Sequence, residues 1–165
     1  MKIPIQIEYL DDKLMEPQEK KASMIWLARI FWLLSIVFAV TGGIFLLFPN
    51  QLIRIFNEIS HSLSSSFEDL PLFSSHLWNL FSFAYMVLVT ALAILIARFP
   101  KEACAYLWLL FLGKISTALI GLFLFFWEKH ALLYLATFFA DGAIAAICLG
   151  AIYLLKRTVP NETEG

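Results

Sequence analysis

The sequence predicts an all-α integral membrane protein, a four-helix up-down bundle with a short amphipathic helix in the long outer loop. Of the 165 residues, 61% are hydrophobic and only 15% are charged. Soluble domains are roughly 45–50% apolar and about 25% charged, so the composition favours the membrane class. Four apolar segments are each long enough to cross a hydrocarbon core of about 30 Å. Apolar residues surround each segment on all sides, which is typical of helices in lipid.

The four predicted spans are ended by proline or by charged residues. They cover about 25–48, 77–97, 103–127 and 131–155. The connections between the second, third and fourth spans are very short, and short connections join antiparallel neighbours. We therefore expect these three spans to pack as a tight up-down series.

The spans form one transmembrane domain, residues 25–157, between two segments that we expect in the cytoplasm. The N-terminal arm is 1–24 and the C-terminal tail is 158–165. Apolar residues alternate with polar ones at the start of the arm, which favours an extended conformation there. The alternating residues are Ile3, Ile5, Ile7 and Tyr9.

The distribution of positive charge predicts the orientation. Nine Lys and Arg residues flank one side of the spans and two flank the other. By the positive-inside rule, both termini are cytoplasmic and the protein is a multi-pass protein of the inner (plasma) membrane. The nine are Lys2, Lys13, Lys20, Lys21, Arg29, Arg98, Lys101, Lys156 and Arg157, and the two are Arg54 and Lys129.

The outer loop between the first and second spans contains an apolar stripe at helical spacing. The stripe consists of Leu52, Ile55, Phe56, Ile59 and Leu63. This pattern predicts a short amphipathic helix that lies on the outer membrane face or caps the bundle.

Two opposite charges lie at matching depth in consecutive spans. Lys114 is eleven residues from the inner start of the third span, which is about 16 Å at 1.5 Å per residue. Asp141 is ten residues from the outer start of the fourth span, or about 15 Å. One charge at the middle of a span costs about 2.5–3.5 kcal/mol on insertion scales. The sequence therefore predicts that Lys114 and Asp141 face each other near the membrane midplane.

Hydroxyl-bearing and small residues accompany the predicted pair. Thr117 and Thr137 lie on the faces of the two charges, and Tyr85 and Ser35 bring hydroxyls from the other two spans towards the same interior. The candidate polar core or ligand site is Lys114, Asp141, Thr117, Thr137, Tyr85 and Ser35. A row of small residues on an adjoining face of the fourth span favours close helix packing. The row is Gly142, Ala146 and Gly150.

Other site classes find little support in the sequence. No catalytic motif is present, and the histidines and acids of the outer loop match no metal-ligand spacing. The net charge of −1 gives no argument for nucleic acid. No cofactor is evident, and a bound lipid or quinone is the ligand class that suits an apolar bundle. The expected partners are the lipid bilayer and either another membrane protein or further copies of this chain.

Three segments carry a resemblance to a known group. The first span ends in TGGIFLLFPNQLIRIF, the third contains LGKISTALIG and the fourth contains FFADGAIAA. In these segments and in its layout, the chain resembles small bacterial four-helix membrane proteins of the DoxX-like type, over about 25–157. A few members of that group are linked to quinone-coupled redox chemistry. The resemblance carries over to Lys114 and Asp141 as a polar site, and the chain adds no redox centre of its own.

Three functions are consistent with these features. The first is a non-catalytic subunit or binder of a hydrophobic ligand or partner; the second is a proton- or ion-coupled transport element; the third is a membrane subunit of a quinone-linked redox enzyme. A binder needs an opening beside the pair. A transporter needs a wetted path to both faces. If the pair only fixes helix register, it should be packed dry and sealed.

Overall fold

The computed structural model describes residues 5–72, 76–100 and 102–158, and every regular element in these ranges is an α-helix. The prediction of an all-α fold is therefore confirmed for this part of the chain. The helices are α1 (Ile5–Leu47), α2 (Pro49–Leu63), α3 (His76–Arg98), α4 (Ala103–Trp127) and α5 (Leu132–Thr158).

Four of the five helices are long and apolar enough to cross a membrane. Their apolar segments are Met24–Leu47, Asn79–Arg98, Ala103–Trp127 and Leu132–Lys156. Each end lies within two residues of the predicted one. The four segments indicate a multi-pass membrane protein.

The N-terminal arm is helical from Ile5 and continues directly into the first span. The extended conformation predicted from the alternation is therefore wrong from Ile5 onwards, and Ile3 lies outside the described residues. Residues 8–22 are rich in Glu, Lys, Leu, Met and Gln, which favour helix. Extending an existing helix also avoids the cost of nucleation. The predicted C-terminal tail lies outside the described residues from 159 onwards.

The spanning helices pack mainly as two pairs, α1 with α3 and α4 with α5, while α3 contacts α4 less extensively. A tight series of the second, third and fourth spans is therefore confirmed only for the α4–α5 step. A short connection keeps two helices close at one end only. Side-chain packing decides whether they stay in contact along their length. At Gly42 the α1 and α3 backbones come so close that an added Cβ atom would lie 2.8 Å from the Cβ atom of Met86.

A core cluster of buried apolar residues occupies one half of the bundle. It comprises Leu27, Phe31, Phe38, Val89, Ala93, Ile96, Ala97, Ala103, Leu107, Leu110, Cys148, Ala151, Ile152 and Leu155. In α4 this core ends at Leu110, one turn before Lys114. Towards the other end of the bundle, residues 132–138 of α5 are all half-buried rather than buried. The two charges thus lie about one to two helical turns beyond the end of this cluster.

The helix α2 and the loop after it pack against parts of the spanning helices and the turn between α4 and α5. α2 packs against α1 and α5 and buries Ile53 and Ser60. Asn57 fixes the loop through its side chain. The amide nitrogen donates to the Leu70 carbonyl (3.0 Å), and the side-chain oxygen accepts from the Leu70 N–H (3.2 Å). The Glu68 N–H donates to the His130 carbonyl (3.1 Å), so the loop also contacts the α4–α5 turn.

The histidines of this region pair with acids. Nε2 of His61 lies 2.9 Å from Oδ1 of Asp69, and Nδ1 of His130 lies 3.6 Å from Oε1 of Glu68. All four side chains are more than half exposed. Exposed pairs of this kind contribute about 0–1 kcal/mol each, so they support the loop contacts without dominating them.

Candidate functional site: a buried lysine–aspartate pair

Lys114 of α4 and Asp141 of α5 form a salt bridge inside the bundle. Nζ of Lys114 lies 2.8 Å from Oδ1 of Asp141. The lysine side chain is 2% exposed and the aspartate side chain is 14% exposed. The predicted pairing of these two residues is confirmed, and the lysine is sealed more completely than its partner.

The positions of the two charges follow from the buried faces of their helices. In α4 the buried positions recur every three or four residues and include Leu110, Lys114 and Ala118. In α5 Asp141 precedes the buried residues Ala145 and Cys148 at the same spacing. Both charges therefore lie on the stripes by which α4 and α5 pack against their neighbours.

Thr117 supplies the second hydrogen bond to the carboxylate. Its hydroxyl donates to Oδ2 of Asp141. The hydroxyl oxygen of Thr117 also lies 3.0 Å from the Lys114 carbonyl oxygen and 3.3 Å from the Gly113 carbonyl oxygen. A hydroxyl has one proton, and an ionised carboxylate is a stronger acceptor than a backbone carbonyl. Each carboxylate oxygen of Asp141 thus has one donor from α4.

Two aromatic rings complete the surroundings of the lysine. Nζ of Lys114 lies 4.8 Å from the ring centroid of Phe38 and 5.4 Å from that of Tyr85. A cation over an aromatic face is stabilised by about 0.5–2 kcal/mol. Phe38 comes from α1 and Tyr85 from α3, so all four spanning helices contribute to the site.

Phe38 is a residue of the site that the sequence does not predict. It lies three residues after Ser35, on the same face of α1, and both are buried. The sequence of α1 is apolar all round, so a phenylalanine on that face does not stand out from the others.

Ser35 and Thr137 have other partners. The Ser35 hydroxyl donates to the Trp32 carbonyl (2.7 Å), and the Thr137 hydroxyl donates to the Leu133 carbonyl (2.9 Å). Such bonds to the preceding turn satisfy a hydroxyl within its own helix. The structure therefore joins Thr117 and the Tyr85 ring to the pair, and shows no bond from Ser35 or Thr137 to it within the described part of the chain.

The Tyr85 hydroxyl is buried and has no hydrogen-bond partner among the residues that the structure describes. It lies beside Gly113, where an added Cβ atom would be 3.4 Å from the hydroxyl oxygen. The absence of a side chain at Gly113 leaves room for the tyrosine ring to reach Lys114.

The close approach of α4 and α5 occurs at Gly121. A Cβ atom there would lie 3.0 Å from the Tyr134 carbonyl oxygen. Cβ atoms added to Gly142 or Gly150 would meet no heavy atom within 4 Å, and Ala146 is exposed. The expectation that this row brings helices together is wrong for contacts within the described chain, because the row faces away from the packed side of α5.

These features define a multi-pass membrane protein whose four spans surround a lysine–aspartate pair. Comparison with models of known protein families, with curated proteins and with solved structures finds no match.

Proposed function

We propose that this chain is a small non-catalytic membrane protein that binds a hydrophobic ligand or a membrane partner beside Lys114 and Asp141. The unequal exposure of the pair carries the proposal, because Lys114 is 2% exposed whereas Asp141 is 14% exposed. A pair that only fixes helix register needs no open edge. A ligand site needs an accessible polar group in apolar surroundings, and Asp141 supplies one.

The burial of Lys114 supports binding over transport. A transport element needs access to the pair from both faces of the membrane. On one side of Lys114 lies the apolar core that ends at Leu110, and the lysine itself is covered by Phe38 and Tyr85. A quinone-linked redox subunit has less support than a simple binder, since its ligand would have to exchange electrons with a partner protein.

The proposed setting is an up-down bundle in the plasma membrane with both termini in the cytoplasm. The asymmetry of Lys and Arg residues supports this orientation. In this setting α2 lies on the outer face with its exposed residues Ile55, Ile59 and Leu63 in the headgroup region. Membership of the DoxX-like group is likewise a proposal, supported by the three segments that contain Gly42, Lys114 and Asp141.

Native mass spectrometry of the protein purified in mild detergent tests the binding proposal. The matched variant is the double substitution Lys114→Met with Asp141→Val, which removes both charges together and so leaves no unpaired charge. We expect the parent to retain a lipid-sized molecule and the double variant to lose it. Retention by both, or by neither, would contradict the proposal.

Proteoliposomes that contain a pH-sensitive dye test the transport alternative. We expect proton flux no greater than in liposomes without protein. A flux that requires Asp141 would replace binding by transport as the function of the pair.

A further inference from the structure

The exposed part of the Asp141 side chain lies within the depth of the membrane-spanning segment. Asp141 is nine residues from Leu132, where the fourth apolar segment begins, so it is about 13 Å along the helix axis. The residues just before it, Phe139 and Ala140, are exposed on the outside of the bundle. At Gly142, just after it, an added Cβ atom would meet nothing within 4 Å. A molecule that reaches the exposed part of Asp141 must therefore come sideways from the lipid.

The hydrogen bonds of the pair define what the exposed part of Asp141 can recognise. Oδ1 of Asp141 accepts from Lys114 and Oδ2 accepts from Thr117. A carboxylate has about four lone-pair positions, so each oxygen retains the capacity for one more donor. The donors of Lys114 are inaccessible, because its side chain is only 2% exposed. The exposed part of the pair thus accepts hydrogen bonds and does not offer them.

The charge of the pair restricts the ligand further. Lys114 and Asp141 together are neutral, so a charged headgroup beside them would bring an uncompensated charge into the hydrocarbon, which is costly. A neutral group with a hydrogen-bond donor satisfies both conditions. A hydroxyl on an apolar chain is the simplest such group, and its transfer from water to this depth costs far less than that of a charge.

We propose that Asp141 binds the hydroxyl of a neutral lipid alcohol, such as a long-chain alcohol or a diacylglycerol, that enters from the bilayer beside Gly142. The inference rests on the proposed binding function and narrows its ligand class. The bound hydroxyl donates to the free lone pair of a carboxylate oxygen, and the apolar chain runs along the exposed face of α5 that contains Phe139 and Ala140.

Photolabelling in lipid nanodiscs tests the ligand class. The probe is hexadecanol with a diazirine near its hydroxyl, and the matched probes are its methyl ether, which cannot donate, and the corresponding alkyl sulfate, which stays charged. We expect the alcohol to label the peptide around Asp141 about tenfold more than the ether, the factor that one hydrogen bond to a charged acceptor gives. Equal labelling by alcohol and ether, or stronger labelling by the sulfate, would overturn the inference.

Two glycine variants test the place of entry without touching the pair. Gly142→Leu fills the space beside Asp141, and Gly150→Leu adds the same side chain eight residues further along α5, where an added Cβ atom also meets nothing within 4 Å. Both should fold with the thermal midpoint of the parent. We expect Gly142→Leu to lower labelling by the alcohol about tenfold, since it removes that hydrogen bond, and Gly150→Leu to leave it unchanged. An equal effect of the two variants would contradict entry beside Gly142.

The ligand class and the binding function can be contradicted separately. If alcohol and ether label equally while the Lys114→Met, Asp141→Val variant loses its bound molecule, the ligand class is wrong and the binding function stands. If no probe labels the peptide and the parent carries no bound molecule, both are wrong.

Discussion

Lys114 and Asp141 are 27 residues apart in the chain, yet Nζ of the lysine lies 2.8 Å from Oδ1 of the aspartate, across the contact between α4 and α5. The rings of Phe38 and Tyr85 cover the lysine from α1 and α3. The helices pack mainly as the pairs α1–α3 and α4–α5, and the lysine is where the two pairs meet. One ion pair therefore contributes to the tertiary arrangement of all four spans.

A double-mutant cycle should show strong coupling between the two charges. Lys114→Met or Asp141→Val alone leaves an unpaired charge in the bundle and should lower the free energy of unfolding by about 3–5 kcal/mol. The double variant should lie within about 1 kcal/mol of the parent, because apolar side chains replace both charges. Unfolding in detergent micelles measures all four proteins. A double variant as unstable as the sum of the two single variants would contradict coupling.

The spans and the ion pair could be predicted from the sequence because the membrane imposes simple rules. A helix must be long enough to cross the hydrocarbon, and a charge at its middle needs a partner. Lys114 and Asp141 are conspicuous under those rules. By contrast, the pairing of α1 with α3, the ring of Phe38 and the close contact at Gly121 could not be predicted. Each spanning helix is apolar on every side, so hydrophobic periodicity does not distinguish the face that packs from the face that meets lipid.

The hydroxyl of Thr117 should stabilise the carboxylate of Asp141. Thr117→Val keeps the shape of the side chain and removes the donor, so it should cost about 1.5–3 kcal/mol, the range for a hydrogen bond to a charged group. Ser116→Ala is the matched control, because the exposed Ser116 hydroxyl donates to the Leu112 carbonyl of its own helix (2.7 Å). It should change stability by less than about 0.5 kcal/mol. Thermal unfolding in detergent distinguishes the two, and equal effects would count against the Thr117–Asp141 bond.

Gly42 should be far less tolerant of a side chain than its neighbour Gly43. A Cβ atom at Gly42 would lie 2.8 Å from the Cβ atom of Met86, whereas one at Gly43 would meet nothing within 4 Å. Gly42→Ala forces α1 and α3 apart and should destabilise the protein by about 1–3 kcal/mol, the usual cost of overpacking. Gly43→Ala removes a helix-interior glycine at no steric cost and should be neutral or stabilising by up to about 1 kcal/mol. The free energies of unfolding of the two variants measure this difference in tolerance. Equal values would show that α1 and α3 do not approach closely at Gly42.

Asn57 should hold the loop 64–72 on α2. Asn57→Ala removes both bonds to Leu70 and leaves the N–H and the carbonyl of Leu70 without this partner. Ser62→Ala is the control on the same helix, because the exposed Ser62 hydroxyl donates to the Glu58 carbonyl of its own helix. Limited proteolysis of the purified protein should cleave the loop 64–72 about tenfold faster in Asn57→Ala, as expected for the loss of one to two net hydrogen bonds. Unchanged cleavage would mean that the contacts of Glu68 with the α4–α5 turn hold the loop without Asn57.

The ring of Tyr85, rather than its hydroxyl, should stabilise the lysine. The buried hydroxyl has no hydrogen-bond partner among the described residues, and a buried unsatisfied group costs about 1–3 kcal/mol. Tyr85→Phe removes that group and keeps the aromatic face over Lys114, so it should leave stability unchanged or raise it by about 1 kcal/mol. Tyr85→Leu removes the face as well and should cost about 0.5–2 kcal/mol in cation–π energy alone. A clear loss of stability in Tyr85→Phe would show that the hydroxyl has a hydrogen-bond partner, either the neighbouring Thr117 hydroxyl or a polar molecule beside Gly113.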